Sequence, residues 1–109
     1  MIRPPPLVLD EVLAALDLAR LLVKAGWVKG ESVALVDGQV CYCIDGAITA
    51  ASRTTRIRDA ARAAVHLAVP TVFAEEPLYV FNDHPNTCVG DVVWVLTAAK
   101  TMVWKAVST

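Results

Sequence analysis

Charge is scarce in this chain. Only 19% of its 109 residues are Asp, Glu, Lys or Arg, and the formal net charge is −1. A chain this neutral has no global field to draw in nucleic acid or an anionic membrane surface. Long apolar runs are missing too. The longest uncharged stretches are Ala63 to Ala74, interrupted by Pro70, and Val92 to Ala99. A membrane-spanning helix needs about 20 apolar residues, so none is expected. Cysteines number three, too few for a disulfide framework, and they read as free thiols of a reducing compartment. The opening MIRPPPLVLDEV has prolines and early acids where a leader would need an apolar core, so the chain reads as cytoplasmic. No glycine-rich phosphate loop, paired-carboxylate motif or metal signature is visible.

Apolar residues are abundant: 56% of the chain, with a mean hydropathy of +0.51. That exceeds the roughly 45–50% of an average soluble protein. One domain of this length can bury a core, and a surplus would have to be covered by another molecule.

Residues 1–8 form a proline-rich extended lead, and 9–109 a single globular domain. Asp10 and Glu11 open a helix that runs to Lys24, with Val12, Leu13, Leu16, Ala19 and Val23 as its stripe, widened by Leu22. Gly26 stops it. Asp37-Gly38 is a hairpin turn between strands Ser32–Val36 and Gln39–Cys43. A short helix covers 45–51. A longer one covers Thr55–Ala68, with Ile57, Ala60, Ala61, Ala64, Val65 and Ala68 buried, and Pro70 ends it. Val72–Phe73 and Leu78–Phe81 read as brief extended pieces. The last helix runs from Val89 to Ala106. The expected fold is α+β and mainly helical: about four helices, one of them short, around a two-stranded hairpin.

The last helix is apolar nearly all round. Val92, Val95, Leu96, Ala99, Met102, Val103 and Ala106 make one stripe. Trp94, Ala98, Thr101 and Trp104, with Thr97, make a second. A helix apolar on both sides is central or shared with a partner, and tryptophan favours interface anchors. Trp94, Ala98, Thr101 and Trp104 are therefore the partner-binding candidates, for a host protein or a second copy of the chain.

Arg53, Arg56, Arg58 and Arg62, against Asp59 alone, leave a net +3 patch. Its plain reading is a solvated face. Its sharper reading is an anion or nucleotide site at a helix N-terminus, with Asn82 and Asp83 contributing. Four arginines are too few for duplex binding. FNDHPNT, from Phe81 to Thr87, is explained by turn chemistry. Asn82 and Asp83 bond nearby backbone, Pro85 keeps His84 out of helix, and Asn86 or Thr87 caps the last helix. Cys41, Cys43, His84 and Cys88 could compose a zinc quartet, but C-x-C is tighter than zinc spacing. Small core cysteines and a solvated His84 are the simpler account. His66, inside AAVHLAV, reads as packed.

W-x-x-G at Trp27–Gly30, C-x-x-G-A-I at Cys43–Ile48 and F-N-D-x-P at Phe81–Pro85 occur in one order over most of the chain. In that order they resemble a family of small uncharacterised proteins of actinobacteria and their bacteriophages, a domain of unknown function. The resemblance implies a mainly helical domain with a hairpin and supplies no activity. Its pattern marks Trp27, Cys43, Gly46, Phe81, Asn82, Asp83 and Pro85 as structural, and it includes neither Cys41, His84 nor Cys88. Where the family places a threonine at the cap of the final helix, this sequence has Cys88, with Asp91 three residues on and Thr87 just before. A phage setting suggests a non-enzymatic accessory protein that binds and modulates a host protein. The rival is a binder of small anionic ligands, and an enzyme fits least. No cofactor is expected.

Overall fold

The computed structural model describes residues 9–108. The proline-rich lead expected over 1–8 lies outside the described residues. The elements are α1 (Leu9–Ala25), β1 (Val33–Val36), β2 (Gln39–Tyr42), α2 (Ile44–Ala51), α3 (Thr55–Ala68), a 3₁₀ turn (Thr71–Phe73), α4 (Leu78–Asp83) and α5 (Val89–Ser108). The fold is α+β and mainly helical, as its periodicities imply.

α1 is the spine. Val12, Ala15, Leu16, Ala19 and Val23 are buried on it at 3.6 spacing. It touches α2, α3, α5 and β2. α5 lies antiparallel to α1, since Asp17 pairs with Lys100 while Leu13 and Trp104 line one groove. Alanines at positions 15, 19, 47, 61, 64 and 99 let the helices approach closely. Leucine, isoleucine and valine fill the remaining space, with Leu16, Ile44, Ile48 and Leu96 fully buried. Each such side chain contributes about 1.5–3 kcal/mol by leaving water.

The hairpin closes through Asp37 and Gly38, both at positive φ (51° and 79°). Positive φ at both central residues is the primed turn whose twist matches paired strands. Val36 opposes Gln39 and Val33 opposes Tyr42. Two strands need support, which comes from both sides. Tyr42 exchanges backbone hydrogen bonds with Gly26 and Val28. On the other side the Ser32 carbonyl lies against Gly46, where a Cβ would fall on it.

Two sequence expectations need correction. Leu78–Phe81 is not extended but opens α4, a fifth helix, and Val72–Phe73 belongs to the 3₁₀ turn. The β-rich run LYVF reads as a strand locally. Pro77 pre-sets a helix start instead, and Leu78, Phe81 and Asn82 all reach the interior at i, i+3, i+4 spacing. Burial outweighs propensity in so short a piece. A smaller shift occurs at Cys43, which leaves the strand to become the N-cap of α2.

Gly46→Ala should cost about 1–3 kcal/mol in urea denaturation, because backbone rather than a flexible side chain stands in the way. An unchanged midpoint would mean that the contact between α2 and the hairpin yields freely.

Candidate functional site

The three motifs meet at one side chain. Asn82 is fully buried at the end of α4. Its Oδ1 accepts from Trp27 Nε1 at 2.8 Å and from the Ile44 backbone N–H at 2.9 Å. Its Nδ2 donates to the Val28 carbonyl at 3.0 Å and to Asp83 Oδ1 at 2.9 Å. Asp83 Oδ1 also accepts from Gly30 N–H at 3.0 Å. The amide thus satisfies its two donors and both lone pairs, and it joins the loop after α1, the start of α2 and the end of α4. Asn82 and Asp83 are expected from sequence to bond nearby backbone. Most of their partners are instead 38–55 residues away.

The flanking residues serve the same joint. Cys43 Sγ accepts from Gly46 N–H at 3.2 Å and caps α2. Burial pushes the Cys43 thiol above its ordinary value of 9.0, which keeps it protonated and a poor nucleophile. Phe81 packs edge-on against Phe73. His84, expected to be solvated, is half-buried. It packs edge-on against Phe73, and its Nδ1 accepts from Asn86 N–H at 3.1 Å. The His84 carbonyl takes the Lys29 ammonium at 2.7 Å, which lies over the Trp27 ring. Pro85 is exposed in the next turn and Thr87 is buried. Cys88 precedes α5, where the Asp91 carboxylate accepts from its N–H at 2.9 Å and from its Sγ at 3.3 Å. Those two bonds hold the Asp91 carboxyl below its ordinary value. The reach back to the cap residue is one half of a capping box.

Cys41, Cys43, His84 and Cys88 are not brought together. Among the described residues no three His, Cys, Asp or Glu side chains gather as metal ligands. Cys41 and Cys43 are buried and Cys88 is exposed. His66 is half-buried on α3.

The arginine patch is largely engaged. Arg62 grips Asp45 with both ends of its fork, at 2.7 and 3.2 Å. Arg58 pairs with Asp59, and Thr54 Oγ1 occupies the Ile57 N–H at the start of α3. Arg53 and Arg56 are exposed. Asn82 spends its amide on the joint rather than on these arginines. Asp83 opens instead onto a depression of about 440 Å³ that it shares with Glu31, Asp45, Tyr79 and Cys43. Three carboxylates line that hollow, which suits cations rather than anions. Sequence reasoning missed it, because Glu31, Asp45 and Tyr79 carry no shared motif.

α5 divides its two stripes between inside and outside. Val92, Val95, Leu96 and Ala99 are buried, whereas Met102 and Ala106, expected with them, are exposed. On the opposite side Trp94 is 64% exposed and Trp104 59%. Thr97 and Thr101 are exposed between them, and Ala98 is half-buried against the core. The Thr97 and Thr101 hydroxyls donate to the Val93 and Thr97 carbonyls of their own helix. Trp104 borders a groove of about 550 Å³ between α1 and α5, lined also by Leu13, Asp17 and Lys100. Trp94 borders a second, of about 350 Å³, beside Phe73 and Val95. In the first groove Asp17 takes Lys100 Nζ at 2.8 Å and the Arg20 guanidinium at 3.0 Å. These bonds hold the Asp17 carboxyl below its ordinary 3.8.

A family model described as a family of unknown function (DUF6197) matches residues 8–102. No curated protein and no solved structure matches the chain. The match supports the uncharacterised domain family that the motifs imply.

Asn82→Ala would strand the Trp27 indole N–H, the Ile44 N–H and the Val28 carbonyl, and should cost about 2–4 kcal/mol by urea titration. A loss below about 1 kcal/mol would mean that water replaces the amide. The Asp17 contribution is present above its unfolded pKa and is lost as pH falls through its lower folded value. Between about pH 5 and about pH 2.5 the wild type should therefore lose more stability than Asp17→Asn. The difference should stay below about 1 kcal/mol, because these groups are part-exposed and screened. Parallel curves would show that the ion pair adds nothing.

Proposed function

The chain belongs to the family of unknown function DUF6197, and we propose that it is a non-enzymatic accessory protein that acts by binding another protein. The observation that carries this reading is the exposure of Trp94 and Trp104 on one helix whose other face is core. Ten residues of helix separate them, about 15 Å, the scale of a small interface patch. Large aromatic side chains that are not needed inside and are exposed to water are the usual anchors of such patches. The intervening threonines spend their hydroxyl protons on their own helix, so the strip asks little hydrogen bonding of a partner.

The partner is a host protein in a cytoplasmic, phage or mobile-element setting, and the support for that setting is the motif resemblance. No helix among the described residues is long and apolar enough to cross a membrane. The anion-binding alternative has less support, because Arg58 and Arg62 are paired and Asp83 faces an acidic hollow.

Affinity capture from a host lysate, with the intact chain beside a Trp94→Ala, Trp104→Ala double variant, tests the reading. Both side chains are exposed, so the variant should melt within about 4 °C of wild type. One stoichiometric partner, captured by the intact chain and lost by the folded variant, is expected. Equal capture by both would remove the tryptophan face from the account.

A further inference from the structure

The hairpin has one partnered edge and one open edge. Tyr42 spends its N–H on the Gly26 carbonyl at 2.9 Å and its carbonyl on the Val28 N–H at 3.2 Å. It therefore gives neither to Val33, which opposes it across the ladder. In an antiparallel pair hydrogen-bonded and non-bonded positions alternate. Val33 and Leu35 thus turn their N–H and carbonyl groups away from β2, and no described residue takes them. Val33 is 54% exposed and Leu35 72%. Natural edges are usually guarded by a charge or a proline within the strand, and β1 reads Val-Ala-Leu-Val.

The charges lie at its ends and share one sign. Glu31 precedes β1 and Asp37 comes just after it, and no Lys or Arg occurs from Gly30 to Gly46. The acidic hollow of Glu31, Asp45 and Asp83 adjoins the start of the strand. Arg62 neutralises Asp45, which leaves Glu31 and Asp83 as its net charge. Lys29, just before Gly30 in sequence, is held on the His84 carbonyl. A second copy of the chain fits this edge poorly in its central register. Antiparallel self-pairing that sets Val33 against Leu35 also sets Glu31 against Asp37 of the copy, and like charges repel there.

We propose that β1 is a docking edge for an extended segment of another protein. That segment adds as a third strand, apolar over about four residues and carrying Lys or Arg at its ends, one of which enters the acidic hollow. Backbone hydrogen bonds to Val33 and Leu35 hold it, and the flanking acids select it. This surface is separate from the tryptophan face of α5, and either can exist without the other.

The probe is a random decapeptide library selected on the full chain, with amide hydrogen exchange then measured on the enriched peptides' complexes. Enriched sequences should pair an apolar stretch with basic ends and slow exchange at Val33 and Leu35 by at least about tenfold. Leu35→Pro, which deletes an edge donor, should abolish binding. Should that variant not fold, Glu31→Lys serves at an exposed site, and should weaken the same peptides about fivefold at low salt. Trp94→Ala and Trp104→Ala should leave their affinity unchanged. The proposal fails if nothing is enriched, if enriched peptides lack basic ends, or if they protect other amides. It fails also if the tryptophan variants lose the peptides, or if Val33 and Leu35 become protected with chain concentration alone, which would mean self-pairing.

Discussion

One buried amide holds the non-helical third of this fold in place. Asn82 joins the loop after α1, the start of α2 and the end of α4 through four hydrogen bonds with no polar atom left over. Geometry explains the choice of residue. An aspartate would accept from Trp27 and Ile44 but could not donate to Val28, and it would set a second negative charge beside Asp83. A leucine would fill the space and orphan two N–H groups and a carbonyl. Such groups are costly in a dry interior, so the site is either fully paired or strongly destabilising.

The helices around this joint solve a separate problem. Small residues on α1, α2, α3 and α5 allow close packing, and the branched and larger residues fill what remains. α5 gives one face to that core and leaves the other bearing two tryptophans. A monomer gains nothing from exposing them, which is why the protein-binding reading begins there.

Charge shows the same division. Paired ions such as Asp17–Lys100 and Asp45–Arg62 tie elements together. The acids around β1 are mostly left without bases. Like charges at both ends of β1 oppose pairing with a second copy, while its backbone edge stays open.

Much of the architecture was legible before folding. α1 and α3 are long amphipathic runs whose 3.6 period names their buried faces, α5 is long enough to read as a helix, and Asp37-Gly38 demands a tight hairpin, so local chemistry sufficed for them. The importance of Phe81-Asn82-Asp83 was visible as a motif, but its role was misread as local turn chemistry. Sequence spacing cannot show that a side chain bonds to groups 38–55 positions away. Short elements were the other failure: α4 and the 3₁₀ turn are too brief for period to outweigh β propensity, and packing decided them. Only the tertiary structure could place Trp94 and Trp104 in solvent, since an all-round apolar helix is equally consistent with a central position. It alone gathered Glu31, Asp45 and Asp83 around one hollow, because proximity among distant residues depends on how helices and hairpin pack, not on their order along the chain.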